Sequence, residues 1–274
     1  MSKVILVLID GLGYEEAGAA AGYLEHLVEW DLAAKYRVEG ELPSMSRPMY
    51  ETILTGLPVS EHGIATNLFT RPSRCENLFS LVKEAGLTGA AAAYHWISEL
   101  YQRGVPREPR LERYQLDSPG PIRYGIFYAA DDYPDLCLYN DADYLRRTYH
   151  PDFLLVHPSG CDYNGHLYGK GSREYRNAAA GSFDRLSALL SVWREDGYDV
   201  VITADHGMDE LGIHAGNLPE QREVPLYILS DKAECGDFTD NKVSPLQTAP
   251  LCCALLGISP AAGMRPLTLR MKEN

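Results

Sequence analysis

Three short apolar runs in this chain of 274 residues end in the same way. Val4–Ile9 meets Asp10-Gly11, the strand read at Asp152–His157 feeds a loop carrying Asp162 and His166, and the run up to Thr203 leads into Asp205-His206-Gly207-Met208. A continuous apolar strand needs cover on both faces, which a parallel sheet with helices on each side provides. In such a sheet the strand ends open on one edge, where ligands are held, so three carboxylates converge there. The expected fold class is therefore α/β: a mostly parallel central sheet flanked by helices on both faces, as a single domain over residues 1–274.

Other elements follow from periodicity and punctuation. Leu24, Leu27, Val28 and Leu32 predict a helix over 15–35, and Leu78, Phe79 and Val82 one over 76–86. Strands are expected at 88–94 and 224–229, and helices at 141–149, 172–193 and 248–256, the last capped by Gly257. Residues 98–138 are rich in Pro, Arg and Tyr without a clear period, and read as a small inserted cap segment over the site. Its aromatics, with Tyr94, His95 and Trp96 just before it, are candidates for a substrate pocket.

Charge narrows the partners. Lys+Arg 25 against Asp+Glu 38 gives a formal charge of -13, which repels a polyanion and disfavours nucleic-acid polymers. A small phosphate ester is not disfavoured, because bound cations set their own local field. The first apolar run is too short for a signal peptide, and no stretch approaches the roughly 20 apolar residues of a membrane span. The six cysteines form no CxxC pair, so reduced thiols and a cytoplasmic location are expected, with no membrane partner.

The chemistry-bearing residues are Asp10, Asp162, Asp205, His166, His206, His214 and the hydroxyl of Ser46. That inventory suffices for two four-coordinate sites of oxygen and nitrogen ligands, which suits Zn²⁺, with Mn²⁺ the alternative where carboxylates dominate. Pro43 and Pro48 bracket Ser46 at the start of a helical pattern, where backbone N–H groups favour an anion. Taken alone, Ser46 is better read as a helix N-cap. Beside two divalent ions it becomes a nucleophile for phosphorus, with charge supplied at both the attacking and the leaving oxygen.

The ordered set Val-Leu-Ile-Asp10-Gly, Ser46-x-Pro-(x)₆-Thr55-Gly56, His62-Gly63-Ile64, Asp162-x-x-Gly-His166, Asp205-His206-Gly-Met and His214 resembles the alkaline phosphatase superfamily. Within it, the nucleotide pyrophosphatase/phosphodiesterase branch is the most similar. The resemblance implies one zinc on Asp162, His166 and His214, a second on Asp10, Asp205 and His206, and Ser46 between them as ligand and nucleophile. It also implies a covalent phospho-serine that water hydrolyses.

Two positions depart from the pattern. Met49 stands where an Asn donor to the phosphate is expected, and Arg47 where an aromatic residue is expected near the substrate. With Trp96, these are the candidate substrate contacts. Arg47 suggests an alternative, a phosphomonoesterase or phosphotransferase with its guanidinium as phosphate clamp. Ser46-Arg47-Pro48 also resembles the ethanolamine-phosphate transferases of glycolipid anchors, whose substrate is not carried over, and a sulfatase is disfavoured by Met49-Tyr50. The expected function is a two-metal phosphodiesterase or nucleotide pyrophosphatase acting on a small substrate, and a metal-binding protein without turnover is the remote rival.

Overall fold

The computed structural model describes residues 2–102 and 112–272. Its strands are β1 (Lys3–Ile9), β2 (Ala34–Glu39), β3 (Gly89–Tyr94), β4 (Tyr114–Gln115), β5 (Tyr124–Tyr128), β6 (Phe153–Val156), β7 (Tyr198–Ala204), β8 (Glu223–Leu229) and β9 (Gly236–Val243). They form one sheet in the order β4-β5-β3-β6-β1-β7-β8-β2-β9. Only β4 and β8 run against the rest. The helices are α1 (Tyr14–Ala20), α2 (Gly22–Glu29), α3 (Ser46–Thr55), α4 (Val59–His62), α5 (Leu78–Glu84), α6 (His95–Tyr101), α7 (Asp135–Tyr149), α8 (Gly160–Tyr168), α9 (Arg173–Glu195), α10 (Pro219–Arg222) and α11 (Thr248–Leu256).

β1 lies between β6 and β7, with Val4–Val7 opposite Phe153–Val156 and Lys3–Ile9 opposite Tyr198–Ala204. Both faces of these strands are covered, as the unbroken apolar runs require. One layer holds α7 and α9 with α1, α2 and α8; the other holds α3, α5 and α11. Val4–Ile9, Phe153–Val156 and Val200–Ile202 are fully buried between them.

The structure differs from expectation in three places. Residues 15–35 are not one helix: α1 stops at Ala20, the periodic Leu24 and Val28 belong to α2, and Leu32 is an exposed turn residue. The alternation in Ala34–Glu39 then makes β2, paired between β8 and β9. Second, Asp162 and His166 lie on α8, not in a loop, so their spacing of four is one helical turn. Third, 98–138 is not simply a cap. Tyr124–Tyr128 is a sheet strand in parallel register with Ala90–Tyr94, and α7 begins at Asp135. Residues 103–111 of that expected cap lie outside the described residues.

Candidate metal centre and active site

The carboxyl ends of β3, β6, β1 and β7 share one edge of the sheet, and the site is built there. Asp10 follows β1 directly, and Asp205-His206 follows β7. The turn after β1 is tight. Gly11 has φ 73°, and a Cβ there would stand 2.6 Å from the Asp162 Cα. Only glycine lets the β1 turn approach α8 this closely. Tyr175 on α9 locks the same turn, its hydroxyl donating to the Gly11 carbonyl at 2.5 Å and accepting from the Gly13 N–H at 3.1 Å. Asp162 is tied in by its own N–H, which donates to the Asp10 carbonyl at 3.1 Å.

All three histidines present the same nitrogen. His166 Nδ1 is 2.8 Å from the Gly212 carbonyl, His206 Nδ1 2.9 Å from the Gly207 carbonyl and His214 Nδ1 3.0 Å from the Ser44 carbonyl. A carbonyl accepts only, so each Nδ1 carries a proton and each Nε2 is the nitrogen turned toward the cluster. The Ser44 carbonyl also accepts from Ala215 N–H at 2.9 Å, holding Ala215 at the uncommon φ of 84°. His206 and His214 stack at 3.7 Å.

The Nε2 atoms face buried carboxylate oxygens. Asp10 Oδ1, Asp162 Oδ1 and Asp205 Oδ2 are buried and accept no hydrogen bond from any described residue. His206 Nε2 lies 3.3 Å from both Asp10 Oδ1 and Asp205 Oδ2, and His166 Nε2 lies 3.4 Å from Asp162 Oδ1. Ligand atoms of Asp162, His166 and His214 come within 4.8 Å of one another, as do those of Asp10, Asp162 and His206. Buried anionic oxygens without donors are costly unless a cation satisfies them. The donor set, carboxylate oxygen and imidazole nitrogen, suits a divalent metal.

The protein's own charges show the same deficit. Burial pushes Asp162 up to about 7, and the neighbouring Asp10 adds to the shift. Asp205 is pushed well above the usual carboxylate range by burial and by Asp10. Asp10 alone is held low: burial opposes its charge, but His157 and His206 prevail. Burial disfavours the charged form of His206, yet Asp205 and Asp10 hold its pKa up to about 10, while burial and His206 push His214 down to about 3. Three carboxylates in one buried cluster call for positive charge.

Ser46 opens α3, its Oγ 3.2 Å from His206 Nε2. Tyr50, one turn on, faces the same way and donates its hydroxyl to Asp10 Oδ2. The cavity in front of Ser46 has a volume of about 220 Å³, and its walls include Tyr50, Asn67, Trp96 and Tyr163.

Two expected substrate contacts are corrected. Met49 is fully buried in the hydrophobic core on the inward face of α3, so it neither lines the cavity nor vacates a donor's place there. Arg47 is also buried and does not line the cavity. Its guanidinium pairs with Glu99, donates to the Phe69 carbonyl at 3.2 Å and lies 4.3 Å from the Trp96 ring centre. A guanidinium committed to a carboxylate, a carbonyl and a ring is not a free phosphate clamp. Trp96 does line the cavity, backed by Arg47.

Sequence reasoning missed Asn67 and His157. The Arg47 backbone N–H donates to Asn67 Oδ1 at 2.9 Å, which fixes the amide and leaves Nδ2 without a described partner at the cavity wall. Asn67 thus presents a neutral donor group at the cavity wall, which Met49 does not. His157 ends the apolar run of β6, with Nε2 3.3 Å from Asp10 Oδ2 and Tyr50 edge-on at 4.9 Å. Its position directly after a buried strand was the available signal; Asn67 lies in a loop that offered none.

A serine at a helix start, facing an Asp/His cluster at the carboxyl edge of a doubly covered sheet, is the arrangement of the alkaline phosphatase-like enzymes, which act on phosphoester bonds. The chain belongs to the type I phosphodiesterase/nucleotide pyrophosphatase family, whose model matches residues 4–120 and 129–227. Among curated proteins it is similar to the human GPI ethanolamine phosphate transferase 2 catalytic subunit, 24% identical over 246 residues, covering 85% of this chain and 24% of the relative. It is also similar to mouse GPI ethanolamine phosphate transferase 1, 20% identical over 247 residues, covering 81% of this chain and 26% of the relative. The chain therefore spans about a quarter of the length of these relatives.

Among solved structures, murine ectonucleotide pyrophosphatase/phosphodiesterase 5, as an inactive form in complex with AMP, superposes with a TM-score of 0.74 at 12% identity, covering 98% of this chain and 97% of that one. The phosphonate monoester hydrolase of Silicibacter pomeroyi gives 0.64 at 14% identity, covering 98% and 76%. Both share the fold.

Proposed function

We propose that this chain is a phosphodiesterase acting through Ser46, with two divalent metal ions, zinc by donor type, held by Asp162, His166 and His214 and by Asp10, Asp205 and His206. The observation that carries the reading is the set of three Nδ1-anchored histidines turning their Nε2 atoms toward three unpartnered carboxylate oxygens beside the Ser46 hydroxyl. Bound ions would supply the positive charge that favours the alkoxide form of a serine and stabilises a leaving oxygen.

The chain's own residues do the rest. At the α3 N-terminus Ser46 N–H has no described partner and is the one left for a phosphoryl oxygen, since Arg47 N–H donates to Asn67 Oδ1, Pro48 has none and Met49 N–H donates to the Met45 carbonyl. Ser46 Oγ forms a bond to phosphorus as the bond to the leaving oxygen breaks; the serine proton passes to solvent, and the leaving oxygen takes one from water. Water then attacks the phospho-serine and frees Ser46. Asn67 Nδ2 donates to a non-bridging oxygen, and Tyr50 and His157 hold the Asp10 carboxylate in place.

A diester is favoured over a monoester because, among the described residues, no Lys or Arg lines the cavity. A dianion would lack the extra countercharge that a free Arg47 was expected to give. Transfer to an alcohol in place of water is the second reading, favoured by the similarity to transferases.

The test is the initial rate on bis-(p-nitrophenyl) phosphate against p-nitrophenyl phosphate, with Zn²⁺ or Mn²⁺ restored to chelator-treated protein. The diester is expected to be cleaved at least ~10-fold faster, the discrimination that one missing charge contact can give. Monoester preference would sink the diesterase reading, and an added alcohol that captures the phosphoryl group would move it to transfer. Asn67→Ala should lower kcat by ~10²-fold with metal content unchanged, as loss of one transition-state donor does elsewhere. An unchanged kcat would remove Asn67 from the mechanism.

A further inference from the structure

We propose that Asp209 is a positioning residue for the site formed by Asp162, His166 and His214, and that it acts on His166 through the peptide bond between Gly212 and Ile213. The inference rests on the metal-centre reading and names the residue that tunes one of its two sites. Asp209 is buried at the start of the loop that carries His214. Its Oδ1 accepts from the N–H groups of Leu211 and Ile213, both at 2.9 Å, and its Oδ2 accepts from Gln221 Nε2 at 2.9 Å. The backbone closes the same loop. Asp209 N–H donates to the Ile213 carbonyl at 3.0 Å, and the Asp209 carbonyl accepts from Gly212 N–H at 3.1 Å and from Lys170 N–H, just beyond α8, at 2.8 Å.

The Ile213 N–H that Asp209 holds and the Gly212 carbonyl that receives His166 Nδ1–H at 2.8 Å belong to one planar peptide unit. Fixing the N–H therefore fixes the direction of the carbonyl. A side-chain oxygen on the N–H also polarises the amide, which makes its carbonyl a stronger acceptor for the imidazole. That contact orients the ring and keeps His166 Nε2 turned toward Asp162 Oδ1, 3.4 Å away. Loop and helix meet backbone to backbone: Gly212 has φ 74°, and a Cβ there would stand 2.8 Å from the His166 carbonyl oxygen, while a Cβ at Gly169 would overlap the Glu210 carbonyl oxygen. No side chain lies between them to absorb a shift of the 212–213 peptide. His206, in the other site, is anchored by the Gly207 carbonyl and stands outside this relay.

The experiment titrates chelator-stripped protein with Zn²⁺ in competition with a chromophoric chelator, which reads the affinity of each ion without turnover. The binding step lost in His214→Ala marks the site of Asp162, His166 and His214. Asp209→Leu, close in shape but without an acceptor, is expected to weaken that step by about tenfold, the lower end of what an outer partner of a metal-bound histidine contributes, and to leave the other step within about twofold. Asp209→Asn keeps an oxygen for the Ile213 N–H while giving up the Gln221 contact, and is expected to lose no more than about threefold. Should Asp209→Leu fail to fold, Asp209→Ala carries the same comparison. Two steps that weaken together, a marked step that does not change, or a loss in Asp209→Asn as large as in Asp209→Leu overturns the proposal. A parent that binds no Zn²⁺ sinks the metal-centre reading and the proposal with it, whereas a parent that binds two ions, with affinities that Asp209→Leu leaves unaltered, overturns the proposal alone.

Discussion

Replacing Ser46 with alanine is expected to abolish diester cleavage, by ~10³-fold or more, while the protein keeps its metal. Removal of a nucleophile costs that much in enzymes that pass through a covalent intermediate, because the residual rate comes only from binding and electrostatics. The substitution disturbs little else: alanine suits the first turn of α3, and the lost contact is the one to His206 Nε2. Rates on bis-(p-nitrophenyl) phosphate and metal content by elemental analysis should be read together. Activity within tenfold of the parent would remove Ser46 from the nucleophile's place. Equal inactivity of parent and variant, both with bound metal, would support a binding protein.

Metal removal should produce the second large effect, on stability as well as rate. Asp10, Asp162 and Asp205 each keep a buried oxygen without a donor, so the metal-free protein must either bury unpaired charge or hold a carboxyl protonated there, and both cost stability. A ligand at 1,000 times its Kd stabilises the native state by about 4 kcal/mol, which in a chain of this size raises Tm by roughly 10 °C. A thermal scan after chelation and again after restoring Zn²⁺ or Mn²⁺ should show a rise of that order, with cleavage returning in parallel. Asp162→Asn should melt higher than the parent without metal and gain less when metal is added. No metal-dependent change in Tm would falsify the assignment of this cluster as a metal centre.

Much of the site was legible because its residues sit at ends of buried runs. Asp10, Asp205 and His206 follow such runs directly, and a strand with two covered faces leaves little choice about where it ends. Asp162 and His166 were legible as a pair but not as a helix, since Pro158, Ser159 and Gly160 conceal the start of α8. Arg47 and Met49 were misjudged for a different reason: position beside Ser46 in sequence is not position beside it in space. On α3 the neighbours of Ser46 turn toward Glu99 and the core, while Tyr50, one turn away, shares its face.

The strands that went unread are those whose pattern is set by their place in the sheet. β9 is an edge strand with a largely polar sequence, β2 follows a helix with no strong turn signal, and β5 is five residues in a Pro-rich stretch. Asn67 reaches the cavity wall from a loop, and loop residues reach a site through tertiary structure alone.

The central position of β1 also bears on how the chain is made. Val4–Ile9 leaves the ribosome roughly 150 residues before β6 and later still before β7, its two neighbours, so at translation rates of ~5–20 residues per second it waits on the order of ten seconds unpaired. Throughout that interval the nascent polypeptide displays an adhesive apolar segment, a natural target for holdase chaperones and a seed for inclusion bodies when synthesis is crowded. Soluble yield should therefore depend on expression temperature and chaperone supply more than the stability of the finished molecule would suggest.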